Sequence, residues 1–338
     1  MVAPLIRWDP VRPYEAADIA GGPLWFSHAL TVLADGPRSR MALKDLPHIV
    51  RERISSSRPR FAGLSLDLPR IMGIVNVTPD SFSDGGLYSD VPRAVEHGLK
   101  LASDGADILD IGGESTRPGA EPVPAELEAA RVVPVIRELR KRGLACPISV
   151  DTRKASVAQE AIEAGANIVN DVSAVGFDNK MCATIAQAGV SVCLMHAQGS
   201  PETMQHDPAY DDVVREVSGF LLERVELLVS LGVARGQILI DPGIGFGKTL
   251  DHNLALMRDL GALHAIGCGI LFGASRKSFI ARVSAGARPA SRLGGSLASA
   301  LWALSQGAQV LRVHDVVETR QAINVWQALV SPQYGETR

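Results

Sequence analysis

Polar residues recur where short apolar runs end. Asn76 closes Ile71–Asn76, Asp151 closes Ile148–Asp151, Asn170 closes Asn167–Asn170 and Asp241 closes Ile238–Asp241. Further on, Gly269–Gly273 leads into Ala274-Ser275-Arg276-Lys277-Ser278, and Val310-Leu311-Arg312-Val313 leads into His314-Asp315. Asp151, Asn170 and Asp241 are hydrogen-bond acceptors, or acceptor and donor together, and a carboxylate takes two N–H groups at once. Such a set suits a flat heterocycle edged with amide-like N–H and amino groups. Lys277 supplies donors to ring oxygen or nitrogen. Arg312, His314 and Thr116 offer donors to phosphate oxygens. Asn76 is a neutral oxygen ligand of the kind that a largely hydrated Mg²⁺ tolerates.

Each of these residues also has an ordinary reading. A lone Asp after a strand usually caps the next helix, which covers Asp151 or Asp315 taken singly. Asn170 alone makes a turn, and Arg276 and Lys277 alone are solvated surface charges. The set as a whole resists that reading. Capping does not call for Arg and Lys at these places, nor for His beside Arg.

The run Asp241–Thr249 looks like a phosphate loop, but a Walker A loop needs Gly where Pro242 stands, and the glycine spacing is not the dinucleotide fingerprint. Its glycines are read instead as letting a loop pass close to a flat ligand. No His-Glu-x-x-His, no zinc spacing and no Ser-His-Asp order occurs. The four cysteines (Cys146, Cys182, Cys193, Cys268) show no C-x-x-C spacing, which points to a reduced, cytoplasmic setting.

The elements that must position these residues repeat one plan: apolar strand, polar end, loop, amphipathic helix. The expected strands are Ile71–Asn76, Asp107–Ile111, Ile148–Asp151, Asn167–Asn170, Ser191–Met195, Ile238–Asp241, Gly269–Gly273 and Val310–Val313. Between them lie helices such as Pro124–Arg142, with Leu127, Val132, Ile136 and Leu139 on one face. Eight such units over about 260 residues match a (β/α)₈ barrel, which takes about 250. An open doubly wound sheet would gather its ligands at one crevice; polar residues after strand upon strand favour the closed α/β TIM barrel.

The barrel is assigned to residues 61–332. Residues 1–60 read as an N-terminal extension of low internal order or loose packing, with no assigned function. Phe61–Leu68 is expected as a strand of a small hairpin closing the barrel's floor. The net charge of −3 over 338 residues gives no reason to expect a nucleic-acid partner. The N terminus lacks the pattern of a signal peptide, and no apolar run approaches the ~18 residues of a membrane span.

Taken in order, Asn76–Gly86, Gly112–Gly119, Ser149–Thr152, Asn170-Asp171, Leu194-Met195-His196, Asp241–Lys248, Ser275–Ser278 and Arg312–Asp315 resemble the dihydropteroate synthase family, from about Phe61 to Leu329. The resemblance implies a transferase of folate biosynthesis that joins 6-hydroxymethyl-7,8-dihydropterin pyrophosphate to 4-aminobenzoate. It implies that Asp151, Asn170, Asp241 and Lys277 hold the pterin, with Met195 and Phe246 as apolar walls and Arg312 over the ring. Asn76, Thr116, Arg312 and His314 would meet the pyrophosphate, with Mg²⁺ on Asn76. Phe82, Thr116, Arg117, Pro118, Lys277 and Ser278 would enclose the aminobenzoate. Asp151, Lys277, Arg312 and His314 would carry the catalysis. It also implies a homodimer and competition by sulfonamides. A pterin-binding barrel of a folate- or corrinoid-linked methyltransferase would share the fold but not need Arg312, His314 and Lys277 for pyrophosphate. A non-catalytic pterin-binding paralogue would be expected to lose loop residues such as Phe82 or Arg117, and both are present.

Overall fold

A computed structural model describes residues 1–9, 11–31, 38–78, 87–115, 120–199 and 203–330. The N-terminal stretch is folded, contrary to the expectation of loose packing. Strands β1 (Val2–Pro4), β4 (His28–Thr31) and β5 (Ser39–Ala42) form an antiparallel sheet, and β2 (Ala17–Asp18) pairs with β3 (Trp25–Phe26). Helix α1 (His48–Ser55) follows. Ile19, Leu24, Phe26, Ala29, Leu43, Leu46 and Ile54 make a buried cluster of their own. These strands are too short to show a period of two, so pattern reading passes over them.

The barrel strands are β6 (Arg70–Asn76), β7 (Ile108–Gly112), β8 (Ile148–Asp151), β9 (Ile168–Asp171), β10 (Ser191–Met195), β11 (Ile238–Asp241), β12 (Gly269–Phe272) and β13 (Val310–Val313). Among the described residues these eight close into a parallel barrel, β13 pairing with β6. Parallel strands need crossovers, and helices supply them: α2 (Leu87–Ser103), α3 (Ala125–Lys141), α4 (Ala155–Glu163), α5 (Met181–Ala188), α6 (Val213–Ser230), α7 (Leu250–Arg258), α8 (Ser278–Val283), α9 (Leu293–Ser305) and α10 (Val316–Val330). Each helix turns an apolar stripe to the barrel wall, as α3 does with Val132, Val135, Ile136 and Leu139. Asp212 starts α6 by accepting from the backbone N–H of Val214 (3.1 Å) and Arg215 (3.0 Å).

Successive strand residues face opposite sides, so every second residue points into the barrel. At the lower level these are Met72, Ile108, Ile168, Cys193, Leu239, Leu271 and Val310, one continuous apolar layer sealed from below by Phe61 and Leu66. Phe61–Leu68 is not a strand: Phe61 and Leu64 exchange backbone hydrogen bonds of 2.9 Å in a tight turn. The floor is closed as expected, but by a turn that presents two side chains. The N-terminal sheet packs around this lower end, with Ile6 against Gly261 and an Arg38–Asp259 ion pair at 2.7 Å.

Two residues above the apolar layer, on the same inward face, stand Asp110, Asn170, Met195, Asp241, Gly273 and Arg312. Asp151 lies opposite Asn170 and Gly112 in the ladder, and Asn76 opposite Gly112. One turn of the pleat separates a dry floor from a polar mouth.

Candidate active site

The centre of the mouth is a guanidinium between two carboxylates. Arg312 donates from Nε to Asp110 Oδ2 at 2.6 Å and from Nη2 to Asp151 Oδ2 at 2.8 Å. Asn170 donates from Nδ2 to the same Asp110 Oδ2 at 3.1 Å. The second oxygens, Asp110 Oδ1 and Asp151 Oδ1, are buried and find no hydrogen-bond partner among the described residues. Buried acceptors are normally satisfied, so these two, on carboxylates that share Arg312, mark a place where a ligand's N–H groups belong. Burial pushes the Asp151 carboxyl up to about 7 against the pull of Arg312. Burial also opposes the charge on Arg312, but Asp110 and Asp151 outweigh it and hold the guanidinium above its ordinary value.

Across the mouth, Asp241 accepts from the Gly243 N–H through Oδ1 at 2.7 Å. Burial raises its carboxyl, opposed by Lys277. Lys277 donates to the Ile244 carbonyl and lies 4.5 Å from the centre of the Phe246 ring. Burial lowers its ammonium to about 8, with Asp241 pulling the other way. A Cβ on Gly273 would lie 3.6 Å from the Arg312 Cβ and 3.7 Å from Asp241 Oδ2, so the two halves of the cluster adjoin. The loop beneath is shaped by glycine. Gly243 has φ +67°, and a Cβ there would lie 1.9 Å from the His196 carbonyl oxygen. Met195 is buried beside it.

His314 faces Ser275: Oγ and Nδ1 are 3.0 Å apart, and the His314 N–H donates to the same hydroxyl at 3.2 Å. Asn76 ends β6, half-buried. Ser278 opens α8 and is exposed, but that helix has six residues, so the carboxylate is left the serine's own hydroxyl and N–H more than a helix dipole. Phe82, Thr116, Arg117 and Pro118 lie outside the described residues. Arg276, the neighbour of Lys277, points away and pairs with Asp315 on the surface.

Asp110 escaped sequence reasoning, which looked only at strand ends. The available signal was a lone carboxylate inside the apolar run Ile108–Gly112, two positions from Ile108 on the inward face. A second buried group was also missed. Lys154 bridges Glu114 (3.1 Å) and Glu128, and Arg153 reaches Glu114 at 3.3 Å. Glu114 in turn accepts from the Val123 N–H at 2.9 Å, so it ties down the chain beyond 116–119. Lys248 is turned inward and donates to His196 Nδ1 and the Phe246 carbonyl, both at 2.9 Å. That agrees with rejecting a phosphate-loop lysine. Burial lowers Lys248 to about 7 and His196 to about 3.

Among the described residues no three His, Cys, Asp or Glu side chains gather as a metal cage. One amide oxygen from Asn76 at the rim fits an ion that keeps its waters and takes further oxygens from a diphosphate.

The chain matches the model of the pterin binding enzyme family over residues 72–314. It is 49% identical over 271 residues to the dihydropteroate synthase of Neisseria meningitidis serogroup B, covering 79% of this chain and 94% of that one. The Escherichia coli enzyme is 46% identical over 271 residues, covering 80% of this chain and 95% of its own. Among solved structures, Xanthomonas albilineans dihydropteroate synthase with 4-aminobenzoic acid superposes with a TM-score of 0.77 at 48% identity, covering 81% of this chain and 99% of that one. On the strength of these matches, this chain belongs to the dihydropteroate synthase family of pterin-binding enzymes.

Proposed function

We propose that the polar mouth of the barrel is where this chain performs the family's reaction, joining 6-hydroxymethyl-7,8-dihydropterin pyrophosphate to 4-aminobenzoate to give 7,8-dihydropteroate and pyrophosphate. The observation that carries the residue roles is the meeting of Arg312, Asp110, Asp151 and Asn170 beside Asp241 at one rim, with two carboxylate oxygens unpaired among the described residues. Asp151, Asn170 and Asp241 accept from the pterin's N–H and amino groups. Lys277 donates to its ring oxygen or nitrogen, Met195 and Phe246 wall the ring, and Arg312 lies over its face.

Pyrophosphate departs from a methylene attached to an electron-rich ring, so a resonance-stabilised cation can form. The C–O bond breaks, both electrons leave with pyrophosphate, and the arylamine nitrogen then forms the new C–N bond and loses a proton. Asp151 supplies negative charge near the cation. Arg312 and His314 receive the departing charge. If Ser275 donates to Nδ1 of His314, the ring proton sits on Nε2 as a phosphate donor. Asn76 would hold Mg²⁺, which when bound neutralises diphosphate charge. No protein nucleophile is required, and positioning with electrostatics supplies the acceleration. Phe82, Thr116, Arg117, Pro118 and Ser278 are assigned to the aminobenzoate.

A Yersinia pestis relative, 43% identical with a TM-score of 0.76, was solved as a sulfonamide drug complex, which supports sulfonamide competition at this aminobenzoate position. Exposed Trp302, Val317, Val325 and Leu329 on the late helices support a homodimer. Free cysteines, and the lack among the described residues of a helix long and apolar enough to cross a membrane, support a cytoplasmic setting. The test is pyrophosphate release from the pterin substrate with and without 4-aminobenzoate. Release coupled to dihydropteroate formation is expected. Aminobenzoate-independent release with no dihydropteroate would contradict the reading.

A further inference from the structure

Beyond the Oδ1 that opens on the mouth, Asp110 has no role assigned above, yet it is fully buried at the centre of the cluster. Its Oδ2 accepts from two residues on opposite sides of the barrel, Arg312 on β13 and Asn170 on β9. Because the Arg312 Nε–H donates to it at 2.6 Å, this oxygen acts as an acceptor. An accepting neighbour fixes which end of the Asn170 amide can face it. The NH₂ must turn to Asp110, and the carbonyl must turn away.

We propose that Asp110 is a positioning residue with a share in specificity. One carboxylate oxygen holds the Arg312 guanidinium against Asp151 and at the same time orients Asn170 as an acceptor toward the ligand. The mouth then presents acceptors from Asp151, Asn170 and Asp241 to one edge of the ring. An edge that donates hydrogen bonds is bound, and one that accepts them is refused.

This inference rests on the mouth being the pterin site, and the experiment separates the two. Calorimetry with 6-hydroxymethyl-7,8-dihydropterin pyrophosphate in the presence of Mg²⁺ reads the affinity of the full-length chain, with thermal unfolding read in parallel. Asp110→Asn is expected to bind about tenfold more weakly or worse, the effect of losing a charge-assisted hydrogen bond. In an Arg312→Gln/Asn170→Ala background the same change is expected to cost under about threefold, because its two routes of action are gone. A merely structural role would cost the same in both backgrounds, and that result would overturn the proposal.

Asn170→Asp provides a second arm that leaves Asp110 in place. It keeps an acceptor toward the ligand but sets carboxylate against carboxylate, so binding is expected to fall at neutral pH and recover on acidification, when the pair shares a proton. Wild-type affinity of Asn170→Asp at neutral pH would also overturn it. If Lys277→Ala binds normally, the site reading itself fails. If Lys277→Ala loses binding while Asp110→Asn does not, this inference alone falls.

Discussion

The two ends of the barrel are built from the same strands and spend their inward positions differently. At the lower end Met72, Ile108, Ile168, Cys193, Leu239, Leu271 and Val310 close against Phe61 and Leu66, with the weakly polar Cys193 thiol the least apolar group among them. Two residues further along, Asp110, Asn170, Asp241 and Arg312 replace them, and buried oxygens are left unpaired. The lower layer is what a chain selected only to fold would use throughout. The upper layer concentrates like charge, half-met acceptors and a lysine brought down to about 8. The difference separates stability from function along a single strand, and it gives variants that should act on one end and not the other.

The largest effect is expected at the floor. Phe61→Ala should cost about 3–5 kcal/mol of unfolding free energy, the range for truncating a buried aromatic, with pterin affinity kept at temperatures where the protein stays folded. Chemical denaturation and calorimetry on one preparation check this. Lost affinity with stability retained would place binding at the wrong end. At the mouth, Lys277→Ala and Asp241→Asn should each weaken pterin pyrophosphate binding by about 1–3 kcal/mol, through partners left unpaired, with little loss of melting temperature. A large fall in melting temperature with normal affinity would make the cluster structural.

Removal of divalent cation is the next smaller change. Chelation should lower turnover about tenfold or more as charge on the leaving diphosphate goes uncompensated, and Mg²⁺ should restore it. Undiminished turnover would take Asn76 out of any metal's reach. The smallest effect is on pH. Asp151 is useful as an acceptor when ionised and Lys277 as a donor when charged. Affinity should therefore rise as pH passes upward through about 7 and fall above about 8, severalfold on each side. The acid limb should vanish in Asp151→Asn and the alkaline limb in Lys277→Gln.

The sequence made the barrel legible because strands buried on both faces read as unbroken apolar runs. Ile148–Asp151, Ser191–Met195, Ile238–Asp241 and Val310–Val313 were placed to the residue. Asp151 and Asp241 were legible because each closes its run, and Asn170 and Arg312 because each stands one residue from the close, whereas Asp110 stands two residues in. Asp110 was not, because it sits inside its run and reads as an interruption until the alternation of faces is counted from Ile108. Lys154 and Glu128 were hidden differently. They lie 26 positions apart and meet only when α3 packs beside the loop entering α4. The N-terminal sheet stayed invisible because its strands, of two to four residues, are too brief to carry a pattern of their own.

One structure determination tests the account most directly: the protein crystallised with 6-hydroxymethyl-7,8-dihydropterin pyrophosphate and Mg²⁺. The ring should lie in the mouth with its donor edge on Asp151, Asn170 and Asp241, Lys277 on its acceptor side and Arg312 across its face. A ring seated elsewhere would contradict it, most plainly in the cavity of about 180 Å³ that Ile19, Leu24, Leu66, Leu304 and Trp326 line beneath the floor.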